Sequence, residues 1–387
     1  MYSNIKLAIF SRVLVSFSYG YIIVILPLYL HYAGYSLVDI ALILFVAMLI
    51  NAVLTFLLGM LSDHYGRRNI LAALFLIFSI SSLLFLTVRN IYIITILAGL
   101  AGFTTGSSGG PIGSGGPFGA IQNAIIAEEA KKAALTKILG IAAVVEMLAA
   151  MGGSFFIPVV TYFNVNVYLL FYLSSILALI SFISAMLIKD YHIRSKKLLP
   201  ALSYKKIFRL SIPTIPCGLG SGLILPILSL WLKLRYHVST ATLGLLFGTI
   251  NIGVVIAILL MPYLADYVGK LKVIVLSRVI ASIALLLIAF SPFFLLSAAL
   301  LVLRGTFAMG AVPVRQSFVM TNVHDTERAT TNGATSLSRN SASSVGPLFD
   351  GYLMPLDLSL IPLVGGIITM FDPLLYYLMF RDQWSKK

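Results

Sequence analysis

Apolar residues run through this chain in stretches of about 20, separated by short polar or glycine-rich breaks, and most stretches lack the polar face of a soluble helix. About 20 apolar residues is the length a helix needs to cross a hydrocarbon core of roughly 30 Å. Lipid offers backbone amides no partner, so a crossing segment is either helical or part of a closed barrel. Barrel strands alternate apolar and polar positions, whereas the run from Ile40 to Leu58 is apolar on every side, which rejects the barrel. The pattern predicts an all-α integral membrane protein. It places twelve transmembrane helices near 5–30, 37–60, 69–88, 91–127, 133–158, 167–188, 207–232, 241–264, 271–290, 293–322, 328–354 and 358–380.

Composition agrees: of 387 residues, 59% are hydrophobic and 10% charged, against about 25% charged in soluble domains. The formal charge of +14 would suit nucleic acid if the basic residues clustered on one soluble face. With the N-terminus inside, nineteen Lys and Arg fall in cytoplasmic segments, and only Arg89, Lys233 and Arg235 fall on the opposite side. The positive-inside rule then predicts cytoplasmic N- and C-termini in the cell membrane and accounts for the charge with no nucleic-acid partner. The first span is long and carries Pro27 near its far end, so it reads as a retained helix rather than a cleaved signal. Cys217 is the lone cysteine, and His31, His64, His192, His237 and His324 show no metal-ligand spacing. Neither a metal site nor an enzyme is expected, since no nucleophile–base cluster is visible.

The polar segment 189–206 divides the spans six and six, predicting two pseudo-symmetric six-helix bundles, 1–188 and 207–387, joined by a cytoplasmic linker. Internal repeats support the division. "GMLSDHYGRR" ends span two and "MPYLADYVGK" ends span eight, matching Asp63, Gly66 and Arg67 to Asp266, Gly269 and Lys270 at an offset of 203. Gly140, Glu146 and Gly153 match Gly333, Arg339 and Gly346 at an offset of 193, and Leu26-Pro27 weakly matches Leu225-Pro226. The ten-residue surplus falls on the glycine-rich stretch Gly106 to Gly119 in a span of 37 residues, roughly 55 Å as one helix and too long for a bilayer. Part of it is expected to be non-helical, either unwound at the substrate or a loop with helix-packing glycines.

The loop from Gly59 to Arg68 closely resembles the signature of the major facilitator superfamily, and the twelve spans, the basic linker and the degenerate second copy extend that resemblance over the whole chain. Gly59 permits close helix approach, Gly66 a sharp turn, and Asp63 sets a carboxylate where helix N-termini or arginines hold it. Arg67 and Arg68 can bridge to Glu128 and Glu129 at the cytoplasmic end of span four. The resemblance implies a latch that stabilises one state of an alternating-access cycle. Departures matter too: no Arg lies between Asn90 and Glu128, and "MGGSFFIP" stands in span five where drug antiporters carry Gly-Pro.

Ionisable groups near a bilayer centre cost about 2.5 to 3.5 kcal/mol, so each is a functional candidate. Glu146 lies about 13 residues, roughly 20 Å, into span five, where a desolvated carboxyl can carry a proton. With its repeat partner Arg339 it forms the proton-coupling pair of candidates, the alternative being static ion pairs. In span ten Arg315 and Gln316 stand opposite Gln122 and Asn123 of span four, and the resemblance makes these, with Tyr19 of span one, candidate substrate contacts along the central path. Arg12 and Arg278 can snorkel to the cytoplasm, Asp39 and Asp350 sit near outer ends, and Arg304 and Asp372 carry no assigned role. The polar stripe Thr330, Asn332, Ser336, Asn340 and Ser344 predicts that span eleven does not face lipid.

The expected function is alternating-access secondary transport of a small polar or anionic organic solute, coupled to protons, by a monomer that needs no cofactor beyond a proton gradient. Arginines outnumber acids inside the spans, which favours a negative solute. Efflux of amphipathic or cationic drugs is the alternative, and a non-transporting receptor is a third.

Overall fold

The computed structural model describes residues 3–104, 116–130, 132–189, 204–321 and 328–384. Among them are sixteen α-helices. They are α1 (Ser3–Tyr32), α2 (Leu37–Tyr65), α3 (Arg67–Leu84), α4 (Ile91–Ala101), α5 (Gly116–Glu129), α6 (Lys132–Tyr162), α7 (Leu170–Met186) and α8 (Tyr204–Ser211). There follow α9 (Thr214–Ile224), α10 (Leu228–Tyr236), α11 (Thr240–Val268), α12 (Lys270–Ala289), α13 (Phe294–Gly310), α14 (Val312–Thr321), α15 (Arg328–Leu356) and α16 (Leu360–Phe380). No strand occurs among the described residues.

Nine helical segments are long and apolar enough to cross a membrane, or ten when Phe208–Ile224 and Leu228–Tyr236, bent by 46° at their break, count as one. The protein is therefore a multi-pass membrane protein. The expected twelve exceeds this because α4 has only 11 residues and α15 carries the polar stripe. Spans four, seven and ten are not single helices. Span four stops at Gly102, whose left-handed φ of 68° caps α4. The stretch from Gly106 to residue 115, expected to be unwound or looped, lies outside the described residues, and Gly116 to Gly119 form the first turn of α5. Span seven breaks at Pro226, which has no N–H for the helix ladder, whereas Pro27 sits inside an unbroken α1.

The described residues form two compact units, one built from α1–α7 and the start of α11, the other from α8–α10, the rest of α11 and α12–α16. In the first, α1 packs on α6 and α7, α3 on α7, and α2 on α4. In the second, α9 packs on α15 and α16, and α12 on α16. Glycines set the closest approaches. A Cβ on Gly153 would strike the backbone of Phe17 on α1, and one on the repeat-related Gly346 would strike Gly222 on α9. Gly99 of α4 lies against Ile50 of α2, as Gly305 of α13 lies against Ile250 of α11. The same pairings thus recur in both units.

An aromatic core fills the first unit, with Phe75 stacked on Phe118 at 4.9 Å and Phe85 on Phe171 at 4.8 Å. Outward positions are also apolar: Ile256, Leu259, Leu260 and Leu264 on α11 are exposed, a surface that water would not tolerate at this extent. Polar termini are capped locally. Asp39 is a capping-box residue, its carboxylate accepting from Ser36 N at 3.1 Å while Asp39 N donates to Ser36 Oγ at 3.1 Å.

Candidate functional site

Buried ion pairs among the described residues gather in one cluster within each unit. In the first, α1 brings Arg12 to Glu146 of α6 because the Gly20 and Gly153 crossing lets the two helices run nearly in backbone contact. Arg12 Nε donates to Glu146 Oε2 at 2.6 Å, Nη2 pairs with the same oxygen, and Nη1 donates to Asn123 Oδ1 of α5 at 2.7 Å. Both charged residues are buried, so Arg12 does not snorkel: its carboxylate partner holds it inside. Glu146 Oε1 is enclosed with no hydrogen-bond partner among the described residues. Gln122, one residue from Asn123, donates Nε2 to Ser11 Oγ at 3.0 Å and so ties α5 to α1.

The second cluster draws on six helices. Arg278 of α12 donates Nη1 to Cys217 Sγ of α9 at 2.8 Å and sets Nε 3.3 Å from Asp372 Oδ2 of α16. It is buried, so it too is held by an acid rather than snorkelling. Arg304 of α13 is 5% exposed and donates Nη2 to Ser221 Oγ at 3.4 Å. Arg339 of α15 is half-buried with Nε enclosed and unpartnered among the described residues, while Nη2 reaches Asn340 Oδ1 at 3.5 Å. Arg315 of α14 lies within electrostatic reach of Arg339, Asp372 and Tyr376. Cys217, Ser221, Arg278, Arg304, Thr369 and Asp372 line a small cavity of about 10 Å³ for the centre of a water-sized sphere, space for about one water. Arg278, Arg315 and Arg339 therefore lie within electrostatic reach of one carboxylate, and Arg304 shares its cavity.

The gating loops are matched in backbone. Gly66 (φ 93°) and Gly269 (φ 100°) occupy the same left-handed region at the starts of α3 and α12, a conformation that favours glycine. Arg67 Nη1 lies 2.8 Å from Glu128 Oε1 and donates to the Ala124 carbonyl at 3.0 Å. Lys270 Nζ bonds Ser317 Oγ at 2.8 Å. Ser317 follows Ala124 by 193, the offset of the second repeat, so both loops reach the same place on a neighbouring helix. The second copy meets a hydroxyl where the first meets a backbone carbonyl, and Thr321 stands at the position of Glu128. Asp266 is exposed, and the side chains of α2 around Gly59 and Asp63 lie outside the described ones. Glu129 accepts from Ile5 N at 2.9 Å, serving the start of α1 rather than the loop, and Arg68 Nε is enclosed without a partner among the described residues.

Of the candidate substrate contacts, Tyr19 is buried in the aromatic core against Phe78 and donates to the Ala101 carbonyl at 3.0 Å. Gln122 is buried between α1 and α5, Asn123 is taken by Arg12, and Gln316 is exposed. Glu146 and Arg339 each sit in their own unit's cluster, beside Arg12 and Arg315 respectively. Sequence reasoning did not single out Cys217 and Ser221. Their only signal was four-residue spacing on the small-residue helix α9, which aims both at α12 and α13. No group of three or more His, Cys, Asp or Glu among the described residues is placed to hold a metal ion.

The sequence model of the Major Facilitator Superfamily matches residues 8–215 and 210–386. No curated protein matches the chain. Among solved structures, a mutant of the nucleoside transporter NupG superposes with a TM-score of 0.78 at 12% identity, covering 98% of this chain and 100% of that one. An auto-inhibited POT family peptide transporter gives 0.77 at 11% identity, covering 98% and 96%. A bacterial homologue of the iron transporter ferroportin, in an inward-facing state, gives 0.75 at 14% identity, covering 99% of each.

Proposed function

Because the chain belongs to the Major Facilitator Superfamily, a family of transporters, we propose that it moves a small anionic organic solute across the cell membrane by alternating access, coupled to protons. The observation that carries this reading is the charge imbalance of the second cluster, where Arg278, Arg304, Arg315 and Arg339 gather with a single acid, Asp372. Buried guanidiniums without counter-charge cost several kcal/mol each, and an anionic solute supplies the missing charge. Arg304, which lines the cavity, and Arg339 and Arg315, half-buried rather than sealed, are the contacts that such a solute meets.

Glu146 is the proton-coupling residue of this proposal. Its charge is balanced by Arg12 alone, so a proton on Glu146 frees Arg12 and Asn123 to rearrange, linking protonation to α1, α5 and α6 together. Arg67 and Glu128 form the latch of one state, with the Asp266–Lys270 loop its weaker counterpart. The halves 1–188 and 207–387, the 189–206 linker, cytoplasmic termini and a monomeric state complete the proposal.

The test is reconstitution in liposomes under an imposed pH gradient, following radiolabelled lactate and succinate against tetraphenylphosphonium, with a pH-sensitive dye inside. Anion flux with proton movement in the wild type, and anion flux without it in Glu146→Gln, is the expected result. Preference for the lipophilic cation would replace the anion by an amphipathic drug as substrate. Proton movement undiminished in Glu146→Gln would remove Glu146 from the coupling step.

A further inference from the structure

One buried acid belongs to neither cluster. Asp350 on α15 is 0% exposed, and neither carboxylate oxygen has a hydrogen-bond partner among the described residues. The helices packed on α15 are α8, α9, α14 and α16. Their described titratable groups are Arg209, Cys217, Arg315, Asp372, Tyr376 and Tyr377, and none hydrogen-bonds to Asp350. Nor do Arg339 and Tyr352 on its own helix, Arg339 being eleven residues, roughly 16 Å, away.

The register of α9 on α15 locates this acid. A Cβ on Gly218 would meet the Arg339 carbonyl, and one on Gly222, four residues on, the Ser343 carbonyl, so the two helices advance in parallel. Continued by one turn, the same register makes Pro226 the counterpart of Pro347 and Asp350. Pro226 lies in the break between α9 and α10, where the axis bends by 46°. Ser343, Gly346, Asp350 and Met354 form the buried stripe of α15 that follows α9 to this bend.

The internal repeat separates packing from function at this position. Subtracting 193 from Asp350 gives Ile157 on α6, also 0% exposed. An apolar side chain fills the equivalent place in the first unit, so close packing has no need of a carboxyl. An uncompensated carboxylate in such surroundings costs several kcal/mol, which the neutral acid avoids.

We propose that Asp350 is held as the neutral acid in this conformation and is a second proton carrier of the transport cycle, exchanging its proton with water when the α9–α10 bend moves. The O–H bond breaks with its electron pair left on the carboxylate and the proton passed to water, so no other reactant is involved. This rests on the proton-coupled reading above and adds to Glu146 an acid that no arginine neutralises.

Infrared spectroscopy of the full chain in lipid nanodiscs at neutral pH tests the protonation directly. The carbonyl stretch of a neutral carboxyl is expected in the wild type and in Glu146→Gln, and is lost in Asp350→Asn. In liposomes, Asp350→Asn is expected to keep lactate or succinate counterflow and lose part of the accompanying proton movement. A spectrum unchanged by the substitution, or undiminished proton movement, would overturn the proposal. Asp350→Val, patterned on Ile157, is the second variant should the Asn form fail to fold. Wild-type anion flux without protons would defeat the coupling reading and with it the carrier role, while the infrared band would still report whether Asp350 is neutral.

Discussion

Arg12 and Glu146 lie 134 positions apart in the chain and meet through two guanidinium contacts to a single carboxylate oxygen, buried between α1 and α6. The other oxygen is left without a partner among the described residues. A pair satisfied on one side only is stable enough to persist and open enough to change state.

Removing one partner of such a pair leaves an uncompensated buried charge, a loss of about 3–5 kcal/mol. Arg12→Gln is therefore expected to lower the thermal unfolding temperature of the detergent-purified protein substantially. Glu146→Gln should cost at least as much, since the unpaired Arg12 keeps its charge, with only its 2.7 Å bond to Asn123, whereas an unpaired Glu146 can take up a proton. The double variant should be more stable than the sum of the single losses predicts. Additive losses in this cycle would show that the two side chains do not act as a unit.

The repeat-related glycines give predictions of opposite sign. A methyl group on Gly153 or Gly346 would meet backbone of the neighbouring helix, at Phe17 or Gly222, and neither can move without separating the helices. Gly153→Ala and Gly346→Ala are each expected to destabilise by about 1–3 kcal/mol, as overpacking does. At Gly140 a methyl group would meet nothing within 4 Å, and an alanine there should stabilise α6 by about 0.5–1 kcal/mol. Thermal unfolding of the three variants checks all three signs at once.

Much of this architecture was legible because membrane crossing imposes length and apolarity directly on sequence. The α2 and α15 boundaries fall within a few residues of the expected 37–60 and 328–354. Gly66 and Gly269 were legible because a positive φ leaves few alternatives to glycine. The partner of Glu146 was not. Repeat symmetry pointed to Arg339, but symmetry relates equivalent positions in two units and says nothing of contact, whereas Arg12 reaches Glu146 through the close crossing of α1 on α6. The surroundings of Tyr19 were not legible for a similar reason: a tyrosine on a spanning helix carries no mark of which face it occupies, and this one lies among Phe78 and Phe118.

The latch separates kinetic from structural roles. Arg67 and Glu128 are each about one-fifth exposed, a setting in which an ion pair contributes about 0–1 kcal/mol. Arg67→Gln and Glu128→Gln are expected to slow lactate or succinate flux in liposomes while leaving the unfolding temperature nearly unchanged. Asp63→Asn should behave likewise. Lys270→Gln should be milder, since Lys270 meets the Ser317 hydroxyl rather than an acid. Unchanged flux in Asp63→Asn and Arg67→Gln would reduce the loop to a tight turn.

The second cluster makes the sharpest statement about substrate. Arg304 has one long hydrogen bond, 3.4 Å to Ser221, and Arg339 one of 3.5 Å to Asn340, so most of their donors have no strong protein acceptor among the described residues. Arg278 differs, being committed to Cys217 and Asp372. Losing a charge-assisted contact to a bound anion costs about 1.5–3 kcal/mol, or about 10- to 150-fold in affinity. Arg339→Gln and Arg304→Gln are therefore expected to raise the KM for the transported anion by that order. Arg339→Lys should restore part of it, because the charge returns without the planar fork. Arg278→Gln should instead lower stability, by leaving Asp372 without its ion-pair partner. If Arg339→Gln and Arg304→Gln left KM unchanged and lowered only the unfolding temperature, the four guanidiniums would be a structural feature of the second unit and the solute would bind elsewhere.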